Sequence, residues 1–393
     1  MQLADAEVIR VIIHEIVETI DQGPNHILAA DQLVRCKRVA RFVNSRNIHA
    51  SILVRRHGKF YNRAHAITKN MKKFLALKVD VDTLSGTWVG VPALLDVLTK
   101  HQAGATFLFS LGPDHTCRAI KRIFRKGFLG KVKRTSVVSH YGFPTLLYGT
   151  ALPGPDIGKR CADIMRKARD DGFEVGIHSW DHVEWQDGVE RESADWTRRE
   201  MTRAQERFTE IFKSPSRTHG AAGWQMSKHA LRLTQEMGFD YCSDGRASLH
   251  SGAPHFPVVN AEIIDCPQLP TTLPTLDELI GLDTCSDANV HERLLAMTAR
   301  APNAIGGSRI AMGAHVFTMH AELEGMRLLP VFEKLLVGWR EQGYELVATD
   351  TVYQNLDRSQ LPYFAAERGT LPGRSGTLLM QGKPFLADLN RAA

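Results

Sequence analysis

No stretch of this 393-residue chain approaches the run of about 18 apolar residues that a membrane-spanning helix needs. The N-terminus also lacks the short apolar run and small-residue cleavage site of a secretory signal. Together these absences predict a cytoplasmic protein. Cysteine is sparse: Cys36, Cys117, Cys161, Cys242, Cys266 and Cys285 include no C-x-x-C pair, which argues against a disulfide framework or a cysteine zinc site and predicts reduced thiols. The chain also lacks the apolar poverty of a disordered protein. With 43% hydrophobic and 23% charged residues, it has the usage of a globular protein with a sizeable core.

The net charge of +6 is compatible with nucleic acid, an anionic membrane surface or a phosphorylated substrate, and the total does not separate them. Its distribution says more. Residues 118–134 hold eight basic residues and no acidic one, interleaved with Ile120, Ile123, Phe124, Phe128, Leu129 and Val132.

Residues 1–70 carry no recognisable motif, and Met71-Lys72-Lys73-Phe74 reads as a natural start just before the first strand. The expectation is an N-terminal extension from an over-extended gene start, with a small added domain as the alternative. From Phe74 the pattern becomes regular. FLALKV, LLDVLTKH and GATFLF read as strand, helix, strand. The alternation resumes with a helix over DIGKRCADIMRKARDDG, the strand FEVGI and a long helix over 194–212. MSKHALRLTQEMG, NVHERLLAMTA and MRLLPVFEKLLVGWREQG read as helices, and AEIID, HVFTM and YELVA as strands. Such repetition predicts an α/β fold with a mainly parallel sheet long enough to close into a barrel, whose catalytic residues gather at the carboxyl ends of strands.

Three motifs sit at such ends. In Lys78-Val79-Asp80-Val81-Asp82, strand alternation points both carboxylates to one face, and a divalent cation is a natural way to keep both ionised. Alone, D-x-D reads more readily as a solvated strand end. His178-Ser179-Trp180-Asp181-His182 follows FEVGI, and two histidines four apart fall on one face of a helical turn, a spacing that suits one metal ion. Alone, this spacing is more often accidental. With Asp82 the two histidines would make a site with open positions, leaving Asp80 as a base. His320 ends HVFTM and suits a general acid, although a structural histidine fits equally well.

In this order the three motifs resemble the NodB-homology domain of polysaccharide deacetylases, carbohydrate esterase family 4. The segments KVDVDTLSGTWVGVP, LYGTALPGPDIG, VGIHSWDHVEWQ, AAGWQ, YCSDGRA, QLPTTLPTLDELIG and FTMHAELEG narrow the likeness to a deformylase subgroup acting in lipid A modification and cationic-peptide resistance. Its substrate is a formamido sugar carried on undecaprenyl phosphate. The likeness spans about residues 72–382 and implies a distorted (β/α) barrel over 71–385. It also implies Asp80 as catalytic base, Asp82, His178 and His182 as metal ligands and His320 as catalytic acid. One divalent ion is implied, with zinc, cobalt, manganese and iron equally suited. Where the broader family has an arginine that orients the base, this chain reads His219-Gly220-Ala221-Ala222-Gly223-Trp224, as its subgroup does. Arg246, near Asp244, is the candidate to supply that cation. Backbone N–H groups of 222–224 are candidates for steadying the reaction's oxyanion. Trp224, Thr272, Glu322 and Glu324 are candidate substrate contacts because they flank these segments.

The basic insertion at about 117–136 fits this substrate. A helix presenting Lys121, Arg122, Arg125 and Lys126 beside Phe124 and Phe128 would lie on the cytoplasmic face of the inner membrane, as a peripheral contact. A basic helix packed on the barrel is the plainer alternative. Two other functions are weighed: an N-deacetylase of the same fold acting on peptidoglycan or another N-acetylated sugar, and a nucleic-acid-binding protein. No recognition motif or stacking platform supports nucleic acid as a partner.

Overall fold

In the computed structural model, residues 73–116, 118, 154–249, 252–300, 314–372, 374 and 376–385 are described. The N-terminal extension, and with it the basic insertion residues Lys121, Arg122, Phe124, Arg125, Lys126 and Phe128, lie outside them. The fold is organised around β1 (Lys73–Val81), which is buried from Leu75 onward. Leu75, Leu77, Val79 and Val81 enter the main core, whereas Ala76 packs with Tyr241, Leu269, Val316 and Val352 in a second cluster. Period-two alternation therefore sets Lys78, Asp80 and Asp82 on the face of Ala76.

Six more parallel strands surround it: β2 (Thr106–Ser110), β3 (Glu174–Ser179), β4 (Thr218–His219), β5 (Tyr241–Cys242), β8 (His315–His320) and β9 (Tyr344–Val347). The order is β5-β4-β3-β2-β1-β8, with β9 pairing the opening residues of β1. The ring is closed by an irregular segment at 267–273 running between β5 and β8. Cys242 N–H donates to Pro267 O and Leu269 N–H to Cys242 O at 2.8 Å, and Thr272 N–H donates to Val316 O at 3.1 Å. The result is the expected distorted barrel.

Helices α1 (Val91–Lys100), α2 (Ala162–Asp170), α3 (His182–Gly188), α4 (Ala194–Phe212), α5 (Lys228–Glu236), α6 (Val290–Arg300), α7 (Leu329–Glu341) and α8 (Thr349–Gln354) accompany the strands. α4 has the span read from the sequence. Ser193 caps it by accepting from Trp196 N–H, and Met201, Ala204, Phe208, Ile211 and Phe212 form its buried stripe. The helix expected over DIGKRCADIMRKARDDG is instead broken at Cys161, whose φ of −116° and ψ of 15° separate Ile157–Arg160 from α2. AEIID contributes two residues, β7 (Glu262–Ile263), to a second, four-stranded sheet. That sheet contains β6 (Phe256–Val259), β10 (Tyr363–Gly369) and β11 (Leu378–Phe385). β11 borders the barrel, where Arg246 N–H donates to Leu379 O at 2.9 Å. The described cysteines, Cys161, Cys242, Cys266 and Cys285, are buried free thiols. No described helix is long and apolar enough to cross a membrane.

Candidate metal centre and its flanks

The parallel register pairs Asp80 with His320 on β8 and with Leu108 on β2, so the expected base and acid stand on one rung of neighbouring strands. Asp82 lies one residue past the end of β1. There its N–H and the N–H and hydroxyl of Thr83 all donate to Glu322 Oε1, at 3.0, 2.8 and 2.8 Å. A residue following β8 thus fixes the loop that presents Asp82.

The two histidines do not share a helix. His178 is on β3, and His182 opens α3 after a turn. Asp181 caps that helix by accepting from Val183 and Glu184 N–H at 3.1 and 3.0 Å, while its other oxygen meets His115 Nδ1. The turn brings the imidazoles into a stack with centroids 5.4 Å apart. His178 Nε2 is 3.1 Å from Asp82 Oδ1, and His182 Nε2 is 3.3 Å from Asp82 Oδ2. One ligand atom from each of the three residues lies within 4.8 Å of the others.

These residues fit a metal ion. His178 Nδ1 donates to Gly220 O at 2.7 Å, since a carbonyl only accepts, and Nε2 is left facing Asp82. Burial lowers His178, but Asp80 and Asp82 outweigh it and raise it, so the positive charge at Nε2, 3.1 Å from Asp82 Oδ1, is a proton whose place a metal ion takes over. Burial alone would push the Asp82 carboxyl up, but His182, His178 and His320 outweigh it and hold it well below the usual carboxylate range. Burial pushes His182 down to about 4, against the pull of Asp82, leaving a neutral imidazole suited to ligation. Asp82 Oδ1 is buried without a hydrogen-bond donor.

Asp80 divides its carboxylate. Oδ2 is 3.6 Å from Lys78 Nζ, whereas the buried Oδ1 has no hydrogen-bond partner. Burial lowers the Lys78 ammonium from its ordinary value, opposed by Asp80 and Asp244. His320 is disfavoured as a cation by burial, yet Asp277, Asp82, Glu324 and Asp80 raise it to about 9. Its backbone N–H donates to Glu324 Oε2 at 2.8 Å, and burial pushes Glu324 up to about 7. Burial, with Asp82 adding to it, pushes Glu322 up to about 8.

The flanking candidates separate by position. Trp224, buried and at a left-handed φ of 54°, stands edge-on to His320 with centroids 6.4 Å apart. Lys78, Arg246 and Arg374 lie over its ring at 5.3, 4.7 and 4.3 Å. Its backbone N–H donates to Ala221 O at 2.9 Å, so that donor is already committed, against the expectation that it serves an oxyanion. Asp244 accepts from Ala221 N–H and Gln268 Nε2, both at 2.9 Å, and pairs with His219 Nδ1 at 2.6 Å, bracing the loop that holds His178. Arg246 makes a buried bidentate pair with Glu278 at 2.8 and 3.0 Å, and the cation beside Asp80 is Lys78. Thr272 binds the opening of β8, accepting from Val316 N–H at 3.1 Å, at the other end of the strand from His320.

Sequence reasoning passed over Lys78, Asp181 and Asp277. For Lys78 the signal was available, since it is two residues from Asp80 on an alternating strand. Asp181 precedes a helical run and reads as a cap. Asp277 has no such local sign.

In comparisons with known proteins, residues 68–242 match the polysaccharide deacetylase family. A Shewanella sediminis protein named as a probable 4-deoxy-4-formamido-L-arabinose-phosphoundecaprenol deformylase is 34% identical over 273 residues, covering 70% of this chain and 83% of its own. A Wigglesworthia glossinidia brevipalpis protein of the same name is 30% identical over 300 residues, covering 76% of this chain and 99% of its own.

Proposed function

Because this chain belongs to the 4-deoxy-4-formamido-L-arabinose-phosphoundecaprenol deformylases, within the polysaccharide deacetylases, we propose that it hydrolyses the formamide of that lipid-linked sugar. The products are formate and 4-amino-4-deoxy-L-arabinose-phosphoundecaprenol, for lipid A modification. The observation that carries this reading is the convergence of Asp82, His178 and His182 beside an Asp80 whose buried Oδ1 accepts no hydrogen bond and lies 3.7 Å from His178 Nδ1.

Asp82, His178 and His182 would hold a divalent ion. Once bound, such an ion would supply Lewis acidity for the formyl carbonyl and the attacking water. Asp80 Oδ1 accepts the proton of the attacking water, whose oxygen bonds to the formyl carbon. His320, kept protonated by the carboxylates around it, gives its proton to the departing nitrogen as the C–N bond breaks. Formate leaves, and the amine remains on the sugar. Glu322 holds the Asp82 loop in place, and the buried Trp224 ring packs edge-on against His320.

The enzyme works at the cytoplasmic face of the inner membrane, where the polyprenyl chain resides, and its basic segment supplies the contact. The test is formate release from the formamido-arabinose polyprenyl phosphate by native, metal-stripped and reconstituted protein. Release only with metal supports the reading. Acetate from an N-acetyl sugar, with no formate from this substrate, replaces it with the N-deacetylase reading.

A further inference from the structure

We propose that Lys78 is the positioning residue for the base, gripping one oxygen of Asp80 so that the other is presented to water. This rests on the reading of Asp80 as base. Lys78 lies on β1 two residues before Asp80, on the same face, with no solvent exposure. A lysine there is costly, because an ammonium removed from water must recover its lost solvation from fixed partners. Each partner is present. Nζ donates to Ser243 O at 2.9 Å, lies 5.3 Å over the Trp224 ring and is 3.6 Å from Asp80 Oδ2.

Ser243 follows β5 and Trp224 follows β4, so the ammonium is fixed by segments from two other strands before it meets Asp80. Among the described residues, Lys78 is the lysine or arginine that pairs with Asp80. Arg246 is committed to Glu278 at 2.8 Å, and Arg374 lies 3.6 Å from the same carboxylate. The asymmetry at Asp80 follows from the fixed ammonium. A carboxylate free to turn offers either oxygen, but one held at Oδ2 keeps Oδ1 on the side of the metal-site imidazole of His178, whose Nδ1 lies 3.7 Å away. Orientation of this kind acts on the chemical step and leaves substrate binding alone.

The test compares wild type, Lys78→Arg, Lys78→Met, Asp80→Asn and the double variant Lys78→Met/Asp80→Asn in the full chain. Thermal melts decide whether Lys78→Met or, failing it, Lys78→Gln serves as the folded neutral variant. The expected result is a ~100-fold loss of kcat in the neutral variant, with KM and bound metal per chain unchanged. Lys78→Arg should recover most of it, and the double variant should be no worse than Asp80→Asn. Wild-type kcat in the neutral variant, lost metal, a raised KM at intact kcat, or losses that multiply in the double variant each overturn the proposal. Wild-type activity in Asp80→Asn overturns the base assignment itself, whatever Lys78 does.

Discussion

His320 Nδ1 lies 3.8 Å from Asp277 Oδ1, and neither buried atom has a hydrogen-bond partner. The relation is one of charge. Asp277 leads the influences that raise His320 to about 9, and His320 in turn lowers Asp277. The protonated imidazole is the form the fold favours, so its contribution to stability is full below the ordinary histidine value and is lost as pH rises through about 9.

Activity should follow the same sign. An acid that must be protonated gives a kcat profile that is flat through neutrality and falls on the alkaline side, with about 9 as the upper edge. A bound divalent cation, being positive, pulls this limb lower. Asp277→Asn removes the leading negative charge and should move the limb to lower pH without changing bound metal. His320→Ala should lose ~10²- to 10⁴-fold in kcat, the usual worth of a general acid. A limb that Asp277→Asn leaves in place counts against the assignment.

Metal removal separates ligands from base. Chelation should abolish formate release, and a divalent ion should restore it. His178→Ala and His182→Ala should lower metal per chain, measured by atomic emission, because each removes one member of a three-residue set. Asp80→Ala should keep its metal and still lose ~10²- to 10⁴-fold in kcat. If Asp80→Ala loses metal as His182→Ala does, Asp80 is itself a ligand.

The parts of this site that were legible in the sequence are those carried by strand alternation. Asp80, Asp82, His178 and His320 each stand at or just past a strand's carboxyl end, where a short apolar run announces them. His182 was found for a partly mistaken reason, since His178 lies on a strand and no common helix face joins them. Lys78 was visible but passed over, because only the closed barrel takes it out of water. Asp277 and Glu278 were hidden more deeply. Their places depend on how segment 267–273, interrupted by Pro267 and Pro270, threads between β5 and β8, and no local period encodes that. Arg246 beside Glu278 is the clearest case, for only the fold reveals which carboxylate an arginine meets.

That pair allows a stability test. Both side chains are 4% exposed, so neither charge can turn to water when its partner is removed. Arg246→Met should destabilise the chain by about 3–5 kcal/mol, and Arg246→Met/Glu278→Leu should recover much of this. Urea unfolding would measure both. A double variant as unstable as the single one would show that Arg246 matters through the Trp224 ring, 4.7 Å from its guanidinium carbon, and not through Glu278.

The segments that follow Asp82 and His320 are also joined backbone to backbone. Helical turns at Gly86–Gly90 and Leu323–Arg327 follow the two strands and pack against each other. A Cβ on Gly90 would lie 2.1 Å from Ala321 O, and one on Gly325 would lie 2.6 Å from Gly90 O. Gly90 has an ordinary φ of −70°, so space and not conformation requires the glycine. Since carbonyls cannot swing aside as side chains do, Gly90→Ala must push the two turns apart. It should cost about 1–3 kcal/mol and, by displacing Asp82 relative to His320, ~100-fold in kcat. Gly172→Ala is the contrast: its φ of +91° strains any side chain, but a Cβ there meets nothing within 4 Å. That variant should lose about 1 kcal/mol and no activity. Thermal melts and kcat on the two variants distinguish a close approach that shapes the site from a turn that only shapes the chain, and equal kcat losses would refute the distinction.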